Sequence, residues 1–419
     1  MKIIEEITGL LEDGQLDEAL AAYEDILANG TDDDKFLLAE EMFRFGFLEE
    51  TKTLLEKLLN DYPEEGELLV LLAETFLEMG DEEAAMLALD KIPADDPAYP
   101  QALLLMADMY QMDGLYEVSE QKLQKAKELL PEEVIIDFAL AELYAHQGKF
   151  AEAIKAYEKV LKEQEEVGGA NVNQRMAEAL SAGGLFEDAL VYYEKALAQR
   201  FEINTLFGYA FTALQAGHNK TAIENFEDLK ELDPEYHSLY LLLARAYERE
   251  ELLPEAFEAI KLGIRQDEFN KELFYYGGKI ALKLGDEEGA ETLLREALAL
   301  DPGFSEGALV LNKLLASQDR YEDVLDIINA IDANEEEEPQ LLWDAAVAYH
   351  HLEEYSKALN KYQQAYNFFK QEKDFLSDYG YFLIEEGKRA EAAEIFSMLI
   401  KREPGNEEYR ELFERLSGE

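Results

Sequence analysis

The amino-acid sequence predicts an all-α fold, an α-solenoid in which helix pairs stack into one right-handed superhelix. The first observation is a turn glycine that recurs every 34 residues between Gly46 and Gly148, and near that spacing elsewhere. The second is a small residue, usually alanine, five positions after the glycine, and the third is an aromatic or large aliphatic residue four positions further on. A fixed period of this length indicates repeated supersecondary units. The recurring glycines are Gly14, Gly46, Gly80, Gly114, Gly148, Gly184, Gly217, Gly285 and Gly387.

Each repeat is predicted to be a pair of helices joined by a tight turn, as the segment 67–97 illustrates. Gly80 supplies the left-handed residue that ends the first helix, and Asp81 is a candidate N-cap of the second. The second helix stops before Pro93, because proline cannot continue a helix. The first helix carries apolar residues at helical spacing: Leu68, Leu69, Leu71, Leu72, Ala73, Phe76 and Leu77.

Twelve such repeats are predicted, followed by a C-terminal capping helix over residues 407–419, which keeps an open stack soluble. The spacing breaks near 163–171, where two added residues and the pair Gly168 and Gly169 predict a hinge. This hinge divides units 1–5 (residues 1–167) from units 6–12 (residues 168–406). The acidic run 334–339 is expected to be a solvated linker. The first helices are predicted to begin near residues 1, 32, 66, 100, 134, 170, 203, 237, 271, 305, 339 and 373.

These repeats resemble a known family. The pattern Ala141…Tyr144…Gly148…Ala153…Tyr157 is similar to a tetratricopeptide repeat, and the resemblance covers essentially the whole chain. An acidic, cysteine-free chain made only of such repeats also resembles a cytosolic protein type of Gram-positive bacteria. The resemblance implies protein binding, with the first helix of each repeat lining a concave groove that holds a peptide. Some repeats depart from the pattern at the turn glycine or at the alanine: Glu251, Asp319, Glu353, Thr51, Ser119 and Val324.

The best-known peptide site of that family is absent from the first repeats. That site clamps a partner's terminal carboxylate with lysines and asparagines. The resemblance therefore gives no support for an adaptor of chaperone tails. The matching positions here are Phe36, Glu40, Val70, Glu74, Leu104 and Asp108.

The charge of the chain limits its partners. The formal net charge is −55, from 93 acidic and 38 basic residues, so nucleic-acid backbones and anionic membrane surfaces are repelled. The absence of cysteine excludes disulfides and thiolate chemistry. No apolar signal run opens the sequence and no segment approaches a membrane span. We therefore expect a cytoplasmic protein with protein or peptide partners, without nucleic-acid binding or membrane insertion; the sequence leaves its oligomeric state open.

No pattern in the sequence indicates catalysis. The five histidines form no metalloprotease motif, and no glycine-rich phosphate-binding loop occurs. His350 and His351 are neighbours, so on a helix they point about 100° apart and make a poor metal pair. We expect no catalytic residue, no metal site, no cofactor and no enzymatic activity.

At one position of the first helices, the charge of the side chain changes from negative to positive along the chain, and this pattern predicts a binding groove. The position follows the small residue of each first helix, and Arg249 and Lys283 extend its basic section one turn further. The groove also carries the aromatic residues Phe207 and Tyr275, of types that dominate binding hot spots, and Trp343, which could equally lie in the core. The alternative is a solvated face paired with Glu248, Glu250 and Glu272. The register runs Glu40, Glu74, Asp108, Glu142, Glu178, Phe211, Arg245, Lys279, Lys313, Val347 and Tyr381.

The function that follows is a non-enzymatic scaffold or adaptor that binds partner segments in its groove. A basic segment is expected against Glu40 to Glu178, and an acidic or phosphorylated one against the patch Arg245 to Lys313 in units 8–10. Two alternatives stay open at this point. One is an acidic, chaperone-like solvating protein that acts through its outer surface, and the other is a regulatory subunit of an enzyme complex.

Overall fold

The computed structural model describes residues 2–332 and 338–418. The regular elements of this part of the chain are 25 helices and one two-stranded hairpin, so the predicted all-α repeat solenoid is confirmed. The chain divides into two compact units, residues 1–212 and 213–419. Residues 333–337, which hold most of the predicted acidic linker, lie outside the described residues.

The first unit contains six helix pairs, the hairpin and most of α13. Its elements are α1 (Lys2–Glu12), α2 (Leu16–Asn29), α3 (Asp32–Arg44), α4 (Leu48–Leu59), α5 (Gly66–Glu78), α6 (Glu82–Leu89), α7 (Tyr99–Met112), α8 (Tyr116–Leu129), α9 (Val134–His146), α10 (Phe150–Glu163), β1 (Glu166–Val167), β2 (Ala170–Asn171), α11 (Val172–Ala182), α12 (Phe186–Gln199) and α13 (Ile203–Ala216).

The second unit continues the same alternation and ends on the predicted capping helix, α25. Its elements are α14 (Asn219–Leu232), α15 (Leu239–Arg249), α16 (Leu253–Gln266), α17 (Lys271–Leu284), α18 (Glu287–Leu300), α19 (Ser305–Ser317), α20 (Tyr321–Asp332), α21 (Pro339–His351), α22 (Tyr355–Phe369), α23 (Lys373–Glu385), α24 (Arg389–Arg402) and α25 (Glu407–Ser417). The odd-numbered helices α1–α23 are the first helices of the repeats, and each begins within two residues of its predicted start.

The turn between the two helices of a repeat requires one residue in the left-handed conformation. Gly80 has a φ of +78°, which costs glycine nothing. The three residues that replace the glycine adopt the same conformation: Glu251, Asp319 and Glu353 have φ of 60°, 59° and 59°. Because such a φ costs a residue with a Cβ about 1–2 kcal/mol, these turns are held by the packing of their flanking helices.

The small residues lie where two helices touch, as the repeat pattern predicts. Ala85, Ala153 and Ala290 are fully buried. The substitutes for alanine are buried as well, and Thr51 satisfies its hydroxyl by donating to the carbonyl of Phe47 at 2.9 Å. The aromatic positions, such as Tyr157 and Tyr362, fill the space next to them. The core of each unit is therefore a row of clusters along the stack.

The predicted hinge segment contains the hairpin. Val167 pairs with Ala170 across a turn in which Gly168 and Gly169 have φ of +56° and +82°. Val167 is buried against the helices of its unit. The boundary between the two compact units falls instead within α13, and a hinge at 163–171 stays a prediction.

No helix in the described part of the chain is long and apolar enough to cross a bilayer.

Candidate binding site

The predicted groove residues all lie on first helices, divided between the two compact units. The first unit carries the acidic residues and two phenylalanines, and the second carries the cations and the remaining aromatic residues. The residues of the register directly follow the small residue of their helix, as Ala39 precedes the exposed Glu40. In the first unit they are Glu40, Glu74, Asp108, Glu142, Glu178, Phe207 and Phe211; in the second they are Arg245, Arg249, Tyr275, Lys279, Lys283, Lys313, Trp343 and Tyr381.

The acidic series of the first unit is partly neutralised by a cation that the register missed. Arg175 on α11 places its Nε 3.7 Å from Oε1 of Glu142 and its Nη1 3.2 Å from Oε2 of Glu178. The hydroxyl of Tyr157 also donates to Glu142. Arg175 precedes Glu178 by three residues, a spacing that allows an ion pair on a helix and was available in the sequence.

The other three acids have no ion pair among the described side chains. Burial raises the pKa of Glu40, and the charges of Glu67 and Glu41 add to the effect. Burial also raises the pKa of Glu74, against a hydrogen bond donated by Gln101 at 3.3 Å. Asp108 is exposed. The unneutralised acidic surface of the first unit therefore runs from Glu40 to Asp108, while Phe207 and Phe211 are half-buried on α13.

The cations of α15 and α17 gather around one tyrosine and one glutamate. The guanidinium of Arg245 lies 5.6 Å from the ring centre of Tyr276, and the ammonium of Lys279 lies 5.7 Å from it. The hydroxyl of Tyr276 donates to Glu248, and Lys283 forms an ion pair with the same carboxylate. Burial acts to raise the pKa of Glu248, but the hydrogen bonds and charges of these neighbours outweigh it and lower the pKa.

Among the described residues, Lys283 is the only cation of this section with a carboxylate partner. Lys279 rests over Tyr275 at 5.2 Å, and the ring of Tyr275 packs edge-on against Phe304 at 5.1 Å. Lys313 on α19 is exposed. By contrast, Arg249 donates to the backbone carbonyl of Leu214. The predicted pairing with Glu248 is present for Lys283 only.

A trough in the second unit brings several predicted residues together. It has a volume of about 960 Å³ and is lined mainly by residues of α17, α19 and α21, with fewer from α18 and α20. Lys279, Lys283 and Lys313 line it together with Trp343 and Glu287. The aliphatic residues of its lining are Leu282, Leu309, Val310, Leu314, Ala316, Val324 and Val347.

The trough also contains a polar cluster around one buried asparagine, which sequence reasoning missed. Asn312 is 1% exposed, and its Nδ2 donates to Oδ2 of Asp344 at 3.3 Å. Gln340 donates to Oδ1 of the same carboxylate at 3.1 Å. Burial raises the pKa of Asp344, against these two hydrogen bonds. The Oδ1 of Asn312 accepts no hydrogen bond from any described residue.

The sequence already shows that this repeat is unusual, at the position just before the one that runs from Glu40 to Tyr381. Asn312 occupies the place of the small residue, and asparagine is too polar to be a packing substitute for alanine. The other first helices from α3 to α23 carry alanine or glycine there: Ala39, Ala73, Ala107, Ala141, Ala177, Ala210, Ala244, Gly278, Ala346 and Gly380.

Trp343 and Tyr381 differ in their surroundings. Trp343 is half-buried: its ring packs against Phe369 and Phe375, each at 5.4 Å, and one side lines the trough. Its Nε1 donates to Asp378 at 3.1 Å. Tyr381 instead donates to Glu408 on α25 and does not line the trough. Trp343 thus contacts both the core and the trough, and its role in binding stays a prediction.

Sequence profiles of tetratricopeptide families match several segments of the chain. The family described as "YpiA-like, C-terminal tetratricopeptide repeats" matches residues 339–406, and "YpiA-like, tetratricopeptide repeats" matches 111–165. General tetratricopeptide repeat profiles match 45–109, 210–271 and 278–304.

Solved structures and a full-length relative are similar to the chain. The C-terminal part of a TPR repeat-containing protein of Cytophaga hutchinsonii is 16% identical with a TM-score of 0.46, covering 66% of this chain and 98% of that one. YrrB, described as a TPR protein with an unusual peptide-binding site, is 18% identical with a TM-score of 0.39, covering 45% and 96%. The TPR repeat-containing protein YpiA of Bacillus subtilis (strain 168) is 44% identical over 417 residues, covering 100% of this chain and 99% of the relative.

Proposed function

Because the chain belongs to the YpiA-like tetratricopeptide repeat proteins, we propose that it is a non-enzymatic scaffold that binds segments of partner proteins along its first helices. Proteins built of such repeats generally mediate protein–protein interactions. The proposal places its principal site in the trough of the second unit. It also places the protein in the cytoplasm, where such partners are abundant.

The observation that carries this proposal is the charge of the trough. The chain has 93 acidic and 38 basic residues, yet the trough is lined by three lysines and only two carboxylates, Glu287 and Asp344. Two of the lysines, Lys279 and Lys313, have no carboxylate partner among the described side chains. An acidic segment is repelled by the rest of the surface and attracted here, so the charge pattern selects both the class of partner and the place where it binds.

The acidic surface of the first unit supports a second docking place, for basic segments. Glu40, Glu74 and Asp108 lack cationic partners among the described residues, whereas Arg175 already neutralises Glu142 and Glu178. We therefore propose that basic segments of partner proteins bind at the surface from Glu40 through Asp108. The lysines of the trough favour a binding site over the alternative of a solvating protein that acts only through its negative outer surface.

The test is capture of partners by a charge-reversed protein. We compare the parent with a triple variant in which Arg245, Lys279 and Lys313 become Glu, recovering bound proteins from a cell lysate and identifying them by mass spectrometry. Acidic partners should be lost from the triple variant and reduced by added salt, because exposed pairs are screened over about 8 Å at physiological ionic strength. Basic partners should be retained.

A matched control carries the same change of charge away from the trough. Lys155, Lys159 and Lys162 lie on α10 and are exposed, so their replacement by Glu should leave capture of acidic partners unchanged. Equal recovery by the parent and both variants would contradict the scaffold proposal. Equal losses in both variants would favour a protein that acts through its overall charge.

A further inference from the structure

We propose that the trough along α17, α19 and α21 binds an extended peptide in which acidic and aliphatic side chains alternate, with one peptide amide donating to Oδ1 of Asn312. The inference rests on the proposed scaffold function and specifies the ligand of its principal site. It follows from three features of the trough: an unused acceptor, an apolar lining and a row of lysines.

The unused acceptor indicates what the ligand must donate. Asn312 lines the trough but is almost wholly buried, and its Oδ1 has no partner among the described residues. The carboxylate of Asp344 fixes the orientation of the amide, because only the NH₂ side of Asn312 can donate to it. Gln340 holds that carboxylate from its other oxygen. The free acceptor is thus held in place beneath the surface of the trough, and a ligand N–H group reaches it only when the side chains that cover it move aside.

The position of Asn312 in its repeat favours a role in ligand binding over a role in helix packing. Ten other first helices place alanine or glycine at this point of contact between helices, from Ala39 to Gly380. A buried amide with an unpaired oxygen is a poorer packing residue than alanine. A ligand that donates to Oδ1 completes the hydrogen bonding of the cluster.

The lining and rim specify the remaining chemistry of the ligand. Leu309, Val310 and Val347 accept aliphatic side chains, and a cationic ligand is disfavoured by Lys279 and Lys313. In an extended peptide successive side chains point to opposite sides, so alternation lets aliphatic residues enter while acidic ones meet the lysines. Neighbouring helices pack about 10 Å apart, so three first helices span about 20 Å, the length of about six extended residues.

The protein carries its own reporter for this binding. Trp343 is the single tryptophan of the sequence and lines the trough. The probe is an acetylated and amidated peptide of about eight residues that alternates glutamate and leucine, titrated into the full-length protein while Trp343 fluorescence is recorded. A peptide that alternates lysine and leucine is the control for charge.

The hydrogen bond to Asn312 is tested from both partners. Asn312→Ala should weaken binding of the Glu–Leu peptide about tenfold, the effect of one lost hydrogen bond to a buried acceptor. In a second series, the central amides of the peptide are replaced by esters, one position at a time. At one of these positions the ester should weaken binding to the parent by the same factor, because it removes the N–H group that donates to Asn312. None of the ester peptides should bind the Asn312→Ala variant more weakly than the amide peptide does. Asn360→Ala, at an exposed asparagine of α22, should bind as the parent does.

The outcomes separate this inference from the scaffold proposal. In one outcome, the Glu–Leu peptide binds and charge reversal of Lys279 and Lys313 weakens the binding, but Asn312→Ala and the ester peptides have no effect. That outcome refutes the role of Asn312 and supports the acidic-segment site. If the Glu–Leu peptide does not bind, or the Lys–Leu peptide binds more tightly, the ligand assignment is overturned, whereas lysate capture tests the scaffold function independently. The ester series uses the parent protein, so its result does not depend on the folding of a variant.

Discussion

The polar cluster of the trough should lower the stability of the folded protein, which can be tested by replacing it with the residues that other repeats use. The double variant Asn312→Ala and Asp344→Leu introduces alanine at the small-residue position and leucine at a place where α5 and α7 carry Leu71 and Leu105. It removes an unpaired buried oxygen, which costs about 1–3 kcal/mol, and a half-buried carboxyl. Apolar replacement of a buried polar group is often neutral or stabilising by a few kcal/mol.

The magnitude follows from the contacts that change. Both hydrogen bonds to the carboxylate are lost, at 3.3 Å from Asn312 and 3.1 Å from Gln340. The side chain of Gln340 is only half-buried and can turn to water. We expect the double variant to be about 1–3 kcal/mol more stable than the parent at neutral pH. Asp344→Leu alone should be destabilising, because it leaves both polar atoms of Asn312 unpaired.

The gain in stability of the double variant should increase from acid to neutral pH. Burial raises the pKa of Asp344 above its ordinary value of 3.8, so the folded state binds this proton more tightly than the unfolded state does. The contribution of Asp344 to stability is therefore full below pH 3.8 and is lost as pH rises through its raised folded pKa. The advantage of the double variant over the parent should accordingly be larger at neutral pH than at acid pH.

The assay is urea unfolding followed by circular dichroism at several pH values, with free energies of unfolding compared between the parent, the two single variants and the double variant. A double variant that is less stable than the parent by more than about 1 kcal/mol would refute the reasoning. It would mean that Asn312 and Asp344 are retained for stability and not for a ligand.

Three further predictions concern packing, an ion pair and the hairpin segment. Ala153 is fully buried between helices, so Ala153→Glu should cost several kcal/mol in thermal or urea unfolding; an unchanged Tm would show that the packing assignment is wrong. Hydrogen bonds from Arg320, then Arg295, lower the pKa of Glu291 to about 2 against burial, so its stabilising effect is present above about 4.5 and lost as pH falls toward 2. Glu291→Gln should therefore lower the Tm slightly at about pH 6 and not at about pH 2, and a pH-independent difference would refute this pairing. Limited proteolysis should cut first within 163–170 and leave two folded fragments; a first cut inside a helix pair would argue against a hinge there.

The repeat fold was predictable from the sequence because its constraints are local and recur. A left-handed turn favours glycine, as at Gly80, and a close helix contact favours alanine, as at Ala153. Both requirements return at a fixed period, so the helix boundaries follow from spacing alone. Even the turn at Glu353, which lacks the glycine, was predictable from its place in the period.

The candidate site was predictable only in part. The helical register places Lys279 and Lys313 on first helices, and both line the trough. The partners of charged groups were not predictable, because they depend on the reach of side chains between repeats. Lys283 meets Glu248 across 35 positions of the sequence. Asn312 was visible as a departure from the small-residue pattern, but its unpaired oxygen emerges only once Asp344 is placed beside it.

The most direct test of the acidic-segment site in the trough is the affinity of the Glu–Leu peptide for the parent and for a protein with both Lys279 and Lys313 changed to Glu. Trp343 fluorescence reports binding in both proteins, because the tryptophan lines the same trough. We expect saturable binding to the parent that weakens as salt is added, and loss of binding to the charge-reversed protein. Equal dissociation constants for the two proteins would contradict a binding site built on these lysines.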